Sequence, residues 1–374
     1  MITISLCMIV RNEQATLERC IHSVQEAVDE IIIVDTGSTD STKEIAGRWT
    51  PHVRDYKWKH HFADARNYSF EQAAMDYILW LDADDVLLPA ELQKLLELKH
   101  SLSPDIDRVS MPYHCDFDEY GHATLKVRRV RLVRRSRNYE WTGAVHEDLS
   151  IEEGGCLDSD IVITHRKNHS RSDTKRNLRI YELLLSSGVE FTARDTLHYA
   201  MELHQHSFYE QAVLYYQQFI DSNQRTIEDI IHVCSKLADC YYHMGNRDKE
   251  QEWIFKSFTY DIPRPEFCCR LAYFFLEKEQ FQQAVYWYKL AIESPPPVNP
   301  WAISNDVART WLPHMQLGMC YYHLNAYELS YHHNKIASGY LPDDQRILNN
   351  LILLENEILK VKEQPDLRLT TFPC

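Results

Sequence analysis

The N-terminal part of the chain alternates two hydrophobic rhythms. Ile4 to Val10 is a short apolar run, and behind it Leu17, Cys20, Ile21 and Val24 recur at helical spacing. Glu30 to Asp35 encloses Ile31-Ile32-Ile33-Val34, apolar toward both faces as in a strand buried inside a parallel sheet. The turn Thr36-Gly37-Ser38-Thr39-Asp40 leads into a second helical segment, with Ser and Asp available as N-caps. Tyr77 to Leu81 is a further buried strand and stops at Asp82. Strand, helix, strand, helix, strand predicts a doubly wound α/β sheet. Ligands of such sheets sit beyond the carboxyl ends of the strands, where Asp35 and Asp82 fall.

From about Ile180 the period becomes helical throughout, glycine thins out and aromatic residues multiply. Four segments align on a small residue: Tyr199-Ala200, Leu237-Ala238, Leu271-Ala272 and Leu317-Gly318. Three residues on stand Leu203, Tyr241, Phe275 and Tyr321, and twelve on stand Ala212, Glu250, Ala284 and Ser330. The steps are 38, 34 and 46 residues, the last containing the Pro-rich stretch Ser294 to Trp301 as an insertion. A period near 34 with small residues where two helices cross resembles the tetratricopeptide repeat. Glu250 departs from that pattern, and a helical bundle with chance periodicity is the alternative. The domains expected are residues 1–180, α/β, and 181–374, all-α.

A length of 374 residues suits two domains. The net charge of −15 makes the surface a poor match for nucleic acid. Ten scattered cysteines without a CxxC pair are expected to be reduced thiols. No basic segment and apolar core precede the first strand, and no apolar run approaches the roughly 18 residues of a membrane span. These features lead to the expectation of a cytoplasmic protein that does not span a membrane.

Candidate chemistry centres on Leu81-Asp82-Ala83-Asp84-Asp85. Two carboxylates one residue apart at a strand end can share a hard divalent cation such as Mg²⁺ or Mn²⁺, which bridges to substrate phosphates. An acidic turn is the bland alternative. The chain has neither GxGxxG after its first strand nor GxxxxGK[ST], so bound phosphates need a cation and basic side chains. Two basic stretches are available: Lys126, Arg128, Arg129, Arg131, Arg134, Arg135 and Arg137, then His165, Arg166, Lys167, His169, Arg171, Lys175, Arg176 and Arg179. For most of these a solvated face is expected, with two or three touching phosphate. Trp141-Thr142-Gly143-Ala144-Val145-His146-Glu147 supplies a candidate metal ligand or general base in His146 and a candidate general base in Glu147. The adjacent pairs His60-His61 and His332-His333 are expected to be structural, since neighbours on a helix do not face one site. The recurring tyrosines, among them Tyr216, Tyr242, Tyr288 and Tyr322, are expected to pack between helices.

Ser5 to Glu13, Glu30 to Thr42, Phe62-Ala63-Asp64-Ala65-Arg66-Asn67 and the DxD, in that order, resemble the family 2 glycosyltransferases of the GT-A fold. The resemblance covers roughly residues 1 to 180. It implies that Val10, Asn12 and Asp35 hold the nucleoside, that Asp82 and Asp84 take the ribose and metal positions, and that Arg66 lies near the diphosphate. The segment ending His146-Glu147, with His165, Lys175 and Arg176 behind it, resembles the subgroup that includes the sublancin-type peptide S-glycosyltransferases. That likeness implies a histidine, His165, completing the metal shell and Lys175 and Arg176 covering the diphosphate. The expected function is inverting, metal-dependent transfer from a UDP-sugar, UDP-glucose first, to a peptide Cys or Ser. The alternatives are transfer to a cell-envelope or lipid-linked saccharide and a non-catalytic repeat scaffold. The oligomeric state is open, a homodimer included.

Overall fold

The computed structural model describes residues 1–151, 154–166, 175–296, 299, 301–303 and 305–363. Strands β1 (Ile4–Val10), β2 (Glu30–Asp35), β3 (Val53–Asp55) and β4 (Tyr77–Trp80) pair in parallel in the order β3-β2-β1-β4. Helices α1 (Leu17–His22), α2 (Thr42–Trp49) and α3 (Phe62–Glu71) connect them. The pleat sends alternate residues of β1 to opposite faces. Ile4, Leu6, Met8 and Val10 pack with Leu17, Ile21 and Leu95, whereas Cys7 packs with Ile32, Ala63 and Trp80. A strand with a core on each side must be apolar at every position, which is the pattern of Ile31 to Val34.

The sheet then changes direction. After β5 (Asp85–Leu87) and α4 (Pro89–Ser101) come the long strands β6 (Ile106–Phe117) and β7 (Ala123–Arg134). A small ribbon of β8 (Trp141–Thr142) and β9 (Asp148–Leu149) stands apart, followed by β10 (Gly155–Asp158) and β11 (Ile163–His165). Among the described residues nine strands form one mixed sheet in the order β3-β2-β1-β4-β7-β6-β11-β5, with β10 on β6. β7 runs antiparallel to β4, and β5 antiparallel to β11. This brings Arg129 and Arg131 of β7, the acidic turn after β4, and β11 together at one edge of the parallel half.

The rest is helical: α5 (Arg176–Ser186), α6 (Ala193–Gln205), α7 (Tyr209–Asp221), α8 (Ile227–His243), α9 (Arg247–Ser257), α10 (Pro265–Glu277), α11 (Phe281–Glu293), α12 (Trp311–His323), α13 (Tyr327–Tyr340) and α14 (Gln345–Glu363). The aligned repeat positions fall on the helix pairs α6/α7, α8/α9, α10/α11 and α12/α13, as tetratricopeptide-like repeats require. Ala200, Ala212, Ala238, Ala272 and Ala284 are fully buried, the condition for two helices to cross closely. In the last pair Ser330 donates to the Gly318 carbonyl at 2.6 Å, and a Cβ at Gly318 would overlap the Asn334 side chain. Glu250, the degenerate position, is buried and held by Arg247 at 2.6 Å and by Arg270. Tyr216, Tyr288 and Tyr321 are buried between helices, whereas Tyr242, Tyr286 and Tyr322 are exposed.

By contacts, Met1–Asp116 and Lys126–Arg225 make up the bulk of one compact unit. That unit contains the sheet and also α5, α6 and α7. The other holds Phe117–Leu125, Thr226–Asn299 and the described residues from Ile303 onward. Within it, Trp311 Nε1 donates to Asp118 at 3.1 Å and Tyr120 donates to Asp344. Among the described residues no helix is long and apolar enough to cross a membrane.

Candidate active site

The acidic turn after β4 is built tightly. The Asp85 backbone N–H bonds the Asp82 carbonyl at 3.0 Å, and the Asp85 carboxylate accepts from the Asp82 N–H at 3.1 Å. Asp85 is wholly buried, salt-bridged to the equally buried Arg131 of β7 at 3.1 Å, and accepts from Tyr113 Oη at 2.9 Å. The Arg131 guanidinium lies 3.9 Å from the Trp80 ring and 4.4 Å from the Tyr113 ring. Much of the first basic stretch is therefore engaged rather than solvated, Arg135 and Arg137 being its exposed members. Arg131 neutralises Asp85, Arg134 and Arg137 pair with Asp107, and Arg128 bonds Ser110 and the Ser159 carbonyl.

Asp84 and His165 meet beside this pair. His165 Nδ1 is 3.4 Å from Asp84 Oδ1 and 3.3 Å from Asp85 Oδ1, and ligating atoms of the three residues lie within 4.8 Å of one another. Burial pushes the Asp84 carboxyl up to about 6; His165 opposes the rise, and the nearby Asp82 and Asp85 charges add to it. For His165 burial acts to lower the value, but the hydrogen bond to Asp85 and the charge of Asp84 raise it overall. Such a buried anionic corner suits a cation. Two ligands about 2.1 Å from one cation and at right angles lie about 3 Å apart, close to the Asp84–His165 spacing. Asp85 is already spent on Arg131 and Tyr113, so Asp84 and His165 are the residues able to ligate, with Asp85 orienting the imidazole.

Arg66, on α3, is the centre of a second cluster. Its Nη2 donates to Asp82 at 2.7 Å and its Nε to Glu147. The guanidinium lies 4.8 Å from the Trp80 ring and 5.0 Å from the Trp141 ring. Burial alone would lower its pKa, but the two carboxylates drive it above the ordinary arginine value.

His146 and Glu147 occupy the turn between β8 and β9. His146 adopts a left-handed backbone (φ 52°) and Gly143 another (φ 99°), a conformation that only glycine takes without strain. Contacts from outside the turn hold it. Phe62 N–H bonds the Ala144 carbonyl at 2.8 Å, Tyr181 of α5 donates to the Val145 carbonyl at 3.3 Å, and Arg194 of α6 donates to the His146 carbonyl at 3.2 Å. The His146 ring stacks on His198 at 4.5 Å, and its Nε2 is 2.8 Å from Glu202 Oε1.

Arg66, Trp80, Asp82, Asp84, Arg131, His146, Glu147 and His165 line one cavity of about 390 Å³. Of the residues singled out from sequence, it gathers Val10, Arg66, Asp82, Asp84, His146, Glu147, His165 and Arg176. Asn12 and Asp35 do not line it; they shape the loop after β2. Asp35 accepts from the N–H groups of Gly37 and Ser38 at 2.9 and 2.7 Å, and Asn12 Oδ1 accepts from the Thr39 N–H at 2.8 Å. Lys175 does not line the cavity; its Nζ lies 5.8 Å from the Phe208 ring. Lys167, His169 and Arg171 lie outside the described residues. His61 caps α3, accepting from the Asp64 N–H at 3.2 Å. From sequence Asp85 stands only as the neighbour of the DxD and Arg131 only as one member of a basic stretch, with nothing to pair the two. Glu202 lies 56 residues beyond its partner His146, and no local pattern in the sequence links the two.

The sequence model of the family described as "Glycosyl transferase family 2" matches residues 5–145. The SPbeta prophage-derived glycosyltransferase SunS of Bacillus subtilis is 29% identical over 249 residues, taking in 63% of this chain and 57% of that protein. The match thus spans little more than half the length of that relative. A TPR repeat-containing protein of Synechococcus elongatus is 43% identical over 102 residues, 27% of this chain and 25% of that protein. Glucosyl-3-phosphoglycerate synthase from Mycobacterium tuberculosis, solved with Mg²⁺ and UDP, aligns with 17% identity and a TM-score of 0.35 over 51% of this chain and 82% of that one.

Proposed function

Taking residues 5–145 as a family 2 glycosyltransferase domain, we propose that the chain is a cytoplasmic, inverting, metal-dependent hexosyltransferase. Its donor is a UDP-sugar, UDP-glucose first, and its acceptor a Cys or Ser side chain of a peptide. The observation that carries this reading is the cavity in which Asp82 and Asp84 stand beside Arg66, Arg131, Arg176 and His165. A site of mixed charge beyond the ends of β1 and β4 suits a diphosphate bound with a cation. Val10 meets the nucleoside at a wall whose loop Asn12 and Asp35 shape, Asp82 takes the ribose, and Arg66 and Arg176 supply positive charge to the diphosphate, a role that Lys175, off the cavity, does not share. Asp84 and His165 hold the metal. An oxygen-plus-imidazole pair favours Mn²⁺ over Mg²⁺, which prefers oxygen alone. The bound cation would offset charge on the departing diphosphate.

On the acceptor side, either His146 or Glu147 takes the proton of the incoming nucleophile. Direct displacement then inverts the anomeric centre. The peptide acceptor is supported by the likeness of the His146-Glu147 segment to the sublancin-type subgroup and by the repeats of residues 181–374, to which we assign acceptor choice. Turnover of a UDP-sugar panel with Mn²⁺, with and without EDTA, followed by mass spectrometry of peptide acceptors, tests the reading. EDTA-sensitive UDP release and a hexose mass increment on the peptide are expected. No turnover of any donor would leave the repeat scaffold as the better account.

A further inference from the structure

Within the transferase reading, the two candidate bases are not equivalent. Glu147 Oε1 is engaged by Arg66 Nε, and the same guanidinium holds Asp82, so Glu147 is part of a buried ionic clamp packed against Trp80 and Trp141. His146 is partnered differently. Its Nε2 meets Glu202, a residue only 4% exposed, whose same Oε1 also accepts from Asn177 Nδ2 at 3.0 Å. Asn177 and His146 both line the cavity. With Nε2 committed to a carboxylate, Nδ1 is the nitrogen left to exchange a proton.

We propose that His146 is the general base of the transfer and that Glu202, carried by α6 and outside the family-matched residues 5–145, is its positioning residue. The proposal rests on the transferase reading above. In the step, the acceptor's hydroxyl or thiol gives its proton to His146 Nδ1. The freed electron pair forms the bond to the anomeric carbon, and the bond from that carbon to the diphosphate oxygen breaks, its electron pair leaving with the nucleoside diphosphate. A carboxylate on the far imidazole nitrogen fixes tautomer and ring orientation and offsets the charge that develops on the ring. Burial would raise the Glu202 pKa, but the hydrogen bonds from His146 and Asn177 bring it below the ordinary glutamate value, so the carboxylate is ionised for that task. The left-handed backbone at His146 and its stacking on His198 hold the ring in one orientation. The first repeat helix thereby completes the active site.

The test uses the full chain with UDP-glucose and Mn²⁺, water serving as the acceptor, in wild type, His146→Gln, Glu202→Gln and the double variant. Each single substitution should lower kcat by roughly 10²-fold or more, within the usual worth of a positioned base, and leave the KM for UDP-glucose within about twofold. The double variant should be no slower than His146→Gln, since Glu202 acts through that ring. Effects that multiply, or an unchanged kcat in Glu202→Gln, overturn the proposal. Should Glu202→Gln fail to fold, Glu202→Asp asks the same question: partial activity in Glu202→Asp that vanishes with His146→Gln supports the pair, and full activity refutes it. Absence of turnover in wild type with every donor overturns the transferase reading itself, and this assignment with it. That outcome is separable, because it precedes any comparison of variants.

Discussion

Arg66→Met is the most incisive perturbation of the site. It preserves apolar bulk against Trp80 and Trp141 but removes the charge that binds Asp82 and Glu147. The arginine side chain is 7% exposed and Glu147 10%, so their pair is buried, while Asp82 at 37% keeps partial access to water. Removing one partner of a buried pair leaves the other charge stranded, at a cost of about 3–5 kcal/mol. The more exposed Asp82 contact adds no more than about 1 kcal/mol. For a unit of this size each kcal/mol moves the midpoint by roughly 2–4 °C. Calorimetry should therefore show the transition of the sheet-containing unit falling by roughly 10 °C. The double variant Arg66→Met/Glu147→Gln tests the cause: with the stranded charge gone, it should recover about 1–2 kcal/mol relative to the single variant. An Arg66→Met midpoint within about 1 °C of wild type, or a double variant less stable than the single, would refute the clamp.

Asp84 has a folded pKa of about 6 against an ordinary 3.8, so the folded chain holds a proton between those values that the unfolded chain has released. Its contribution is most favourable below pH 3.8 and is lost as pH rises through 6. At neutral pH the metal-free Asp84→Asn variant should be more stable by up to about 3 kcal/mol. The same variant should lose the rise in melting temperature that Mn²⁺ gives wild type, and unchanged Mn²⁺ stabilisation would remove Asp84 from the metal site. His333 works in the opposite sense. Burial, then the neighbouring His314, His332 and Lys289, depress it from 6.5 to about 4. Stability of the unit containing it should be fully present above pH 6.5 and fall as pH drops toward 4, with His333→Phe flattening that slope in a pH series of denaturant melts. Truncation separates two boundaries. A chain ending after Arg225 keeps Tyr181, Arg194 and Glu202 and should retain Mn²⁺-dependent UDP-glucose hydrolysis, whereas one ending after Ile180 should lose it. Equal hydrolysis by both would show that α6 contributes nothing to the chemistry.

The sequence by itself determined what depends on neighbours along the chain. Apolar-on-both-faces runs specified β1, β2 and β4, because a strand with a core on each side tolerates no polar alternation. The small residues at Ala200, Ala238 and Ala272 with Ala212 and Ala284 specified the helix pairs, because close crossing leaves no room for larger side chains. The DxD was legible because its carboxylates stand only two positions apart in sequence. Tertiary structure decided which charges meet. Arg66 and Glu147 are 81 residues apart, and His146 and Glu202 are 56. No periodicity links such residues, and the antiparallel turn of β7 onto β4 is what delivers Arg131 to Asp85. Read locally, seven basic residues between Lys126 and Arg137 look like a solvated face. Desolvation forces several of them to find carboxylate or carbonyl partners, and only the folded sheet determines which partner each one finds.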